Sequence, residues 1–224
     1  MFEQYLQETQ YFNFNHPLVQ EYTKAVVGQE TDPIKQAVSI YYAVRDDVLY
    51  NPYTFSVDPK SFAASECLAA KQAYCIPKAV LMGAMARAVG IPSRLGLADV
   101  KNHLSSQQLI DYLRTDIFYM HGFIELYLDG KWVKATPAFN ATLCTKMGVE
   151  PLEFDGKTDS IFQEYNADGT HYMDYIADHG TFEDVPVQLL FDTVKRVYGH
   201  LLGDVSSGQM AKHSLEKDIA ADNS

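Results

Sequence analysis

Ala73-Tyr74-Cys75-Ile76-Pro77-Lys78-Ala79-Val80-Leu81-Met82-Gly83-Ala84-Met85-Ala86-Arg87-Ala88-Val89-Gly90 is an apolar run with a cysteine at its front and a glycine at its end. Proline falls in the first turn, where its missing N–H costs nothing. Gly90 and Pro92 close the run, so the stretch predicts a buried helix that begins at Cys75 and stops at Gly90. A thiol at a helix N-terminus faces unpaired backbone N–H groups and the positive end of the helix dipole, which favour thiolate. His121, 46 residues later, opens a predicted strand and offers an imidazole to take or share the thiol proton.

Working outward, Phe118 to Leu128 and Lys131 to Thr136 read as two antiparallel strands joined by Asp129-Gly130, a dipeptide suited to the positive φ angles of a tight hairpin. Ideal alternation puts His121, Phe123, Glu125 and Tyr127 on one face, the more polar of the two. Ser93 to Val100 has strand character, and a short helix is expected at Gln107 to Leu113. Upstream, Asn15-His16-Pro17 and Thr31-Asp32-Pro33 carry helix-start signals, the second helix running to about Asp47 with Ile34, Ala37, Val38, Tyr41, Tyr42 and Val44 on one face. Ser65 is the expected cap of a short turn around Glu66 to Ala70. Downstream, Ala141 to Met147 and Val185 to Tyr198 are helical. The acidic, aromatic segment through Phe154, Asp155, Asp159, Tyr165 and Asp168-Gly169 has no regular pattern, and Tyr165 to Thr181, with His171, Tyr172, Asp174, Tyr175, Asp178 and His179, is either a packed loop or a cleft lining.

At 224 residues the chain suits one domain, taken as residues 1–203 with its core at about 35–140, followed by a mobile tail at 204–224. A net charge of −11 argues against nucleic acid and anionic membranes as partners. Three cysteines without CxxC spacing suit a reducing compartment. With an acidic, polar start and no apolar run long enough to span a bilayer, the expected location is the cytoplasm. The seven histidines form no HExxH or similar ligand pair, so neither metal nor cofactor is expected.

Cys75 on a helix, His121 on a strand and a hairpin return resemble the core of the transglutaminase-like branch of papain-fold cysteine enzymes. The resemblance lies in Ala73 to Leu81 with the exit Arg87-Ala88-Val89-Gly90-Ile91-Pro92-Ser93-Arg94, and in His121-Gly122-Phe123-Ile124-Glu125 with the return Gly130-Lys131-Trp132. It implies an α+β fold in which N-terminal helices and a central Cys-bearing helix pack on an antiparallel sheet. It implies Cys75 as nucleophile and His121 as base, acting on an amide, isopeptide or thioester carbonyl of a peptide, protein or small-molecule acyl substrate.

The family's third residue, an Asp before Pro on the return strand, falls on Thr136, which brings a hydroxyl but no charge. Thr136 or Asn140 then orients His121, or a carboxylate such as Asp155 or Asp159 substitutes, or the site is a relic. Glu125, on the strand face of His121, is a further candidate for setting the imidazole. Gln72 and Tyr74 are the nearest side-chain donors for an oxyanion. Lys78 reads as a solvated face residue, Trp132 as a core anchor and Arg94 as the partner of an acidic group. A non-catalytic module that binds a peptide or other ligand is the alternative reading.

Overall fold

The computed structural model describes residues 2–103, 105–162 and 173–222. Its centre is the helix α4, Cys75–Ala88, whose residues from Cys75 to Arg87 are all buried. A helix that is buried all round must be packed on every side. On one side stand α1, Pro17–Val27, α2, Pro33–Asp47, and α3, Ala64–Ala70; on the other lies a four-stranded antiparallel sheet.

That sheet has the order β5-β4-β3-β6, with β3 Ser93–Asn102, β4 Ile117–Leu128, β5 Lys131–Ala135 and β6 Met173–Phe182. A minor parallel pair, β1 Leu49–Tyr50 and β2 Gln72–Ala73, clamps the chain just ahead of Cys75. The fold is α+β and papain/transglutaminase-like.

Local chemistry accounts for the element ends. Asp32 accepts from the Ile34 and Lys35 N–H groups at the start of α2, and His16 Nδ1 accepts from Leu18 N at the start of α1. Ser65 does not cap α3. Ala63 holds the cap position, while Ser65 exchanges two hydrogen bonds with Asn13, tying α3 to the N-terminal segment. The hairpin turns at Asp129 (φ 48°) and Gly130 (φ 83°), as the dipeptide requires.

Three expectations need correction. Lys78 is fully buried rather than solvated: its Nζ donates to the carbonyls of Arg45 and Val48 and so closes the C-terminus of α2. The segment expected to lack regular structure is in part a strand: Asp174, Tyr175, Asp178 and His179 lie on β6, where Tyr175 and Asp178 border a surface depression with Ala98 and Phe123, whereas Tyr165, Asp168, Gly169, His171 and Tyr172 lie outside the described residues.

The third concerns the tail, which carries α8, Leu202–Ser207, and α9, Leu215–Asp222, with Met210, Leu215 and Ile219 buried. Widely spaced apolar residues in a polar segment look like a disordered tail, yet each finds a hydrophobic slot. Between sheet and tail, α5, Gln107–Leu113, α6, Ala141–Met147, and α7, Val187–Val197, fall where their patterns predict.

Trp132 is a half-buried anchor. Its ring meets Phe2, Tyr5 and Tyr127 and carries the Arg94 guanidinium 4.1 Å above it, while Arg94 pairs with Glu125 at 2.6 Å.

Candidate active site

Cys75 is the first residue of α4, and β4 crosses directly over it. The crossing is possible because residue 122 is glycine: a Cβ there would stand 2.9 Å from Ile76 Cα. That proximity brings the Gly122 N–H to within 3.3 Å of Cys75 Sγ, to which it donates. Gly122→Ala is expected to push β4 off the helix, break this bond and destabilise the fold by about 1–3 kcal/mol, read as a fall in Tm. An unchanged Tm would show that the strand yields without cost.

His121 neighbours Gly122 and lines the same cavity as Cys75. Its face of β4 is buried along with its polar groups, His121 and Glu125, and the Phe162 ring stands 5.9 Å from the imidazole. The imidazole Nε2 is buried without a hydrogen-bond partner among the described residues.

The strand is re-aimed just before it. Met120 takes φ +60°, and three steps along β4 from Phe118 to His121 match two along β3 from Val100 to Ala98. Such a bulge turns a side chain out of register, a device common beside active sites. The buried Asp99 carboxylate holds the bulge by accepting from Met120 N at 2.9 Å. His179 of β6 stands 2.8 Å from the same carboxylate oxygen, outside hydrogen-bonding alignment. Sequence reasoning missed Asp99, although a lone carboxylate inside an apolar strand was a signal.

The remaining candidates divide clearly. Tyr74 lines the Cys75 cavity and its hydroxyl is buried without a described partner. Gln72 is exposed, accepts from Asn51 Nδ2 and faces a separate depression. Thr136 is buried with Oγ1 unpartnered among the described residues; Tyr175 stands near it, and the residues lining the Cys75 cavity do not include Thr136.

Asn140, expected as a positioning group, has both amide ends engaged, accepting from Tyr50 N and donating to Thr142 Oγ1. Glu125 is held by Arg94. Asp155 binds the N–H groups of Lys157 and Thr158, and Asp159 takes Lys134 N, so both are structural loop carboxylates. Among the described residues no group of three or more His, Cys, Asp or Glu side chains is arranged for a metal, and no helix is long and apolar enough to cross a membrane.

The electrostatics reverse one expectation. Burial pushes the Cys75 thiol up to about 11, outweighing the N–H groups of Gly122, Ile76 and Cys75 that favour thiolate. Burial also pushes the His121 imidazole down to about 4. A thiolate–imidazolium pair would therefore stand roughly 10 kcal/mol above the neutral pair. Both shifts favour a neutral thiol and a neutral imidazole at rest. The Tyr74 phenol, raised well above its usual value by burial and then by Cys75, stays a donor.

The transglutaminase-like superfamily model matches residues 20–137, which spans α4, the bulge and the hairpin. The chain belongs to the transglutaminase-like superfamily. Among solved structures it resembles a protein from Cytophaga hutchinsonii, provisionally named a cysteine protease, with a TM-score of 0.52 and 15% identity. The match takes in 82% of the present chain, which spans about half, 47%, of that protein's length. Among curated proteins none matches the chain. Family membership supports a cysteine-based enzyme in general.

Proposed function

We propose that the chain is a cysteine-dependent hydrolase or acyltransferase of transglutaminase-like type, working on an amide, isopeptide or thioester carbonyl. One observation carries the reading: Cys75 at the start of α4 and His121 line one cavity, and the His121 Nε2 is buried with no partner among the described residues. A buried polar atom left without a partner is costly, and such costs concentrate where a ligand completes the bonding.

In the proposed reaction His121 Nε2 takes the Cys75 proton as sulfur attacks the carbonyl carbon, so that charge develops during the attack rather than before it. The tetrahedral oxyanion is held by the Tyr74 hydroxyl and the Cys75 N–H. The imidazolium then protonates the leaving group, and an acyl-thioester remains on Cys75. Water completes hydrolysis, and an amine completes transfer. The Asp99 carboxylate beneath the bulge sets the strand that carries the imidazole, and Thr136 leaves no carboxylate at the family's third position. The substrate is a peptide, protein or small acyl donor; the net charge still argues against nucleic acid and membrane, and the expected location is the cytoplasm.

The test is a burst with p-nitrophenyl acetate followed by intact-mass and peptide analysis. An acetyl adduct on Cys75, absent in Cys75→Ala, is the expected result. Release of p-nitrophenol that persists unchanged in Cys75→Ala would sink the reading. Thr136 in place of an acid favours the second reading, a binding module that keeps the fold; it requires ligand binding that survives Cys75→Ala and no turnover in the native chain.

A further inference from the structure

The family match ends at residue 137, but the cavity at Cys75 does not. Its far wall is built by α7, α8 and the turns around them, through Leu190, Val194, Leu201, Leu202, Val205 and Met210. The near wall is Phe62, Phe118, Met120 and Leu113, and the cavity, partly open to solvent, has a volume of about 110 Å³. Among the described residues, not one charged, amide or aliphatic hydroxyl side chain lines it. Of the polar groups that do, the Tyr198 hydroxyl is already used, donating to Ile117 O and accepting from Tyr119 N. The phenols of Tyr50 and Tyr119 also line it, and two buried atoms of its lining residues lack a partner among the described residues, His121 Nε2 and the Tyr74 hydroxyl. Both flank Cys75.

The occupant must therefore be polar at one end and apolar along the rest. A peptide inserted here would bury backbone amides against side chains that cannot pair with them, which is costly. A hydrocarbon chain ending in a carbonyl meets both demands. We propose that this cavity is an acyl pocket, and that the chain takes a small-molecule ester or thioester whose acyl group is an unbranched aliphatic chain. The proposal rests on the acyl-transfer reading of Cys75 and adds the substrate class.

In the step itself the Cys75 Sγ–carbon bond forms and the carbonyl carbon's bond to the ester oxygen or thioester sulfur breaks. The thiol proton passes through His121 to that leaving atom. Water then splits the acyl-thioester, giving a carboxylic acid and restoring the thiol.

The experiment compares p-nitrophenyl acetate, butyrate, hexanoate and octanoate on the full chain. Burying one methylene is worth about fourfold, so kcat/KM is expected to rise about fourfold per methylene until the pocket is full. Val194→Phe, which fills the pocket, is expected to move the optimum to a shorter chain. A turnover-independent arm measures binding of 2-decanone and acetone to Cys75→Ala by ligand-observed NMR, with 2-decanone expected to bind and acetone not. Cys75-dependent turnover that is flat in chain length overturns the acyl pocket and leaves the acyl-transfer reading standing. Absence of Cys75-dependent turnover, with 2-decanone still held and displaced in Val194→Phe, overturns the reaction and keeps the pocket. Failure of both arms overturns both.

Discussion

Iodoacetamide is expected to leave Cys75 nearly unmodified at pH 7 and to label it about tenfold faster for each pH unit gained, levelling near pH 11. The reason is the buried, neutral resting pair: only thiolate alkylates, and burial holds the thiol at about 11 against the pull of three backbone N–H groups. Cys67, held up at about 12, and Cys144, at about 11, are also buried, so peptide-resolved mass spectrometry must separate the three sites.

Turnover should behave differently from alkylation. His121→Ala is expected to lower acyl transfer by about 100-fold to 10,000-fold, the usual worth of a positioned general base. The same change should leave the alkylation midpoint of Cys75 close to its native value, because a neutral imidazole contributes no charge to hold a thiolate. Selective labelling of Cys75 well below pH 8, lost in His121→Ala, would instead reveal a preformed ion pair and overturn the neutral-pair account.

The second large effect concerns Lys78. Its ammonium is buried inside the nucleophile's own helix, and desolvation lowers it from 10.5 to about 7 despite the opposing pull of Cys67 and Asp46. Between pH 7 and the ordinary lysine value the unfolded chain holds more protons at this site than the folded chain. Stability from this group therefore rises with pH across that window.

Comparing the native chain with Lys78→Met cancels the groups common to both. From pH 7 to 8.5 the native chain is expected to gain about 2 kcal/mol relative to the variant, read from urea midpoints. A parallel pH profile for the two proteins would show that Lys78 stays charged in the fold. At any one pH the variant also strands the Arg45 and Val48 carbonyls at the end of α2, so the slope with pH, not the offset, carries the test.

Much of this architecture was legible before any coordinates. The run from Cys75 to Gly90 had cap, proline and stop signals that agree with one another, and Asp129-Gly130 permits little besides a hairpin. What escaped was set by partners distant in sequence. Lys78 looks solvated until α2 presents two carbonyls to it, and Ser65 looks like a cap until Asn13 arrives. β6 lacks the strand pattern because it is an edge strand broken by register shifts around Asp99, with much of its surface exposed. The site residues divide in the same way. Cys75, His121 and Tyr74 are local to the motif and share a cavity, whereas Asn140 and Glu125 are drawn into other bonds. Asp99 enters through a bulge that no spacing rule describes.

Arg87, from the same apolar run, sets an order of events. Its guanidinium, nearly all buried and resting 3.9 Å over the Phe12 ring, donates to Gln7 O, to Ser93 Oγ and O, and to Glu183 O. Two of these acceptors lie 80 and 96 residues away along the chain. A growing polypeptide that has emerged only as far as the hairpin holds this cation with its donors partly unmet, a state too costly to persist in a dry interior. The Cys-bearing helix is therefore expected to complete its bonds only once residue 183 is in place. Final placement of Cys75 is then expected to come late, through a contact of high sequence separation of the kind that slows folding.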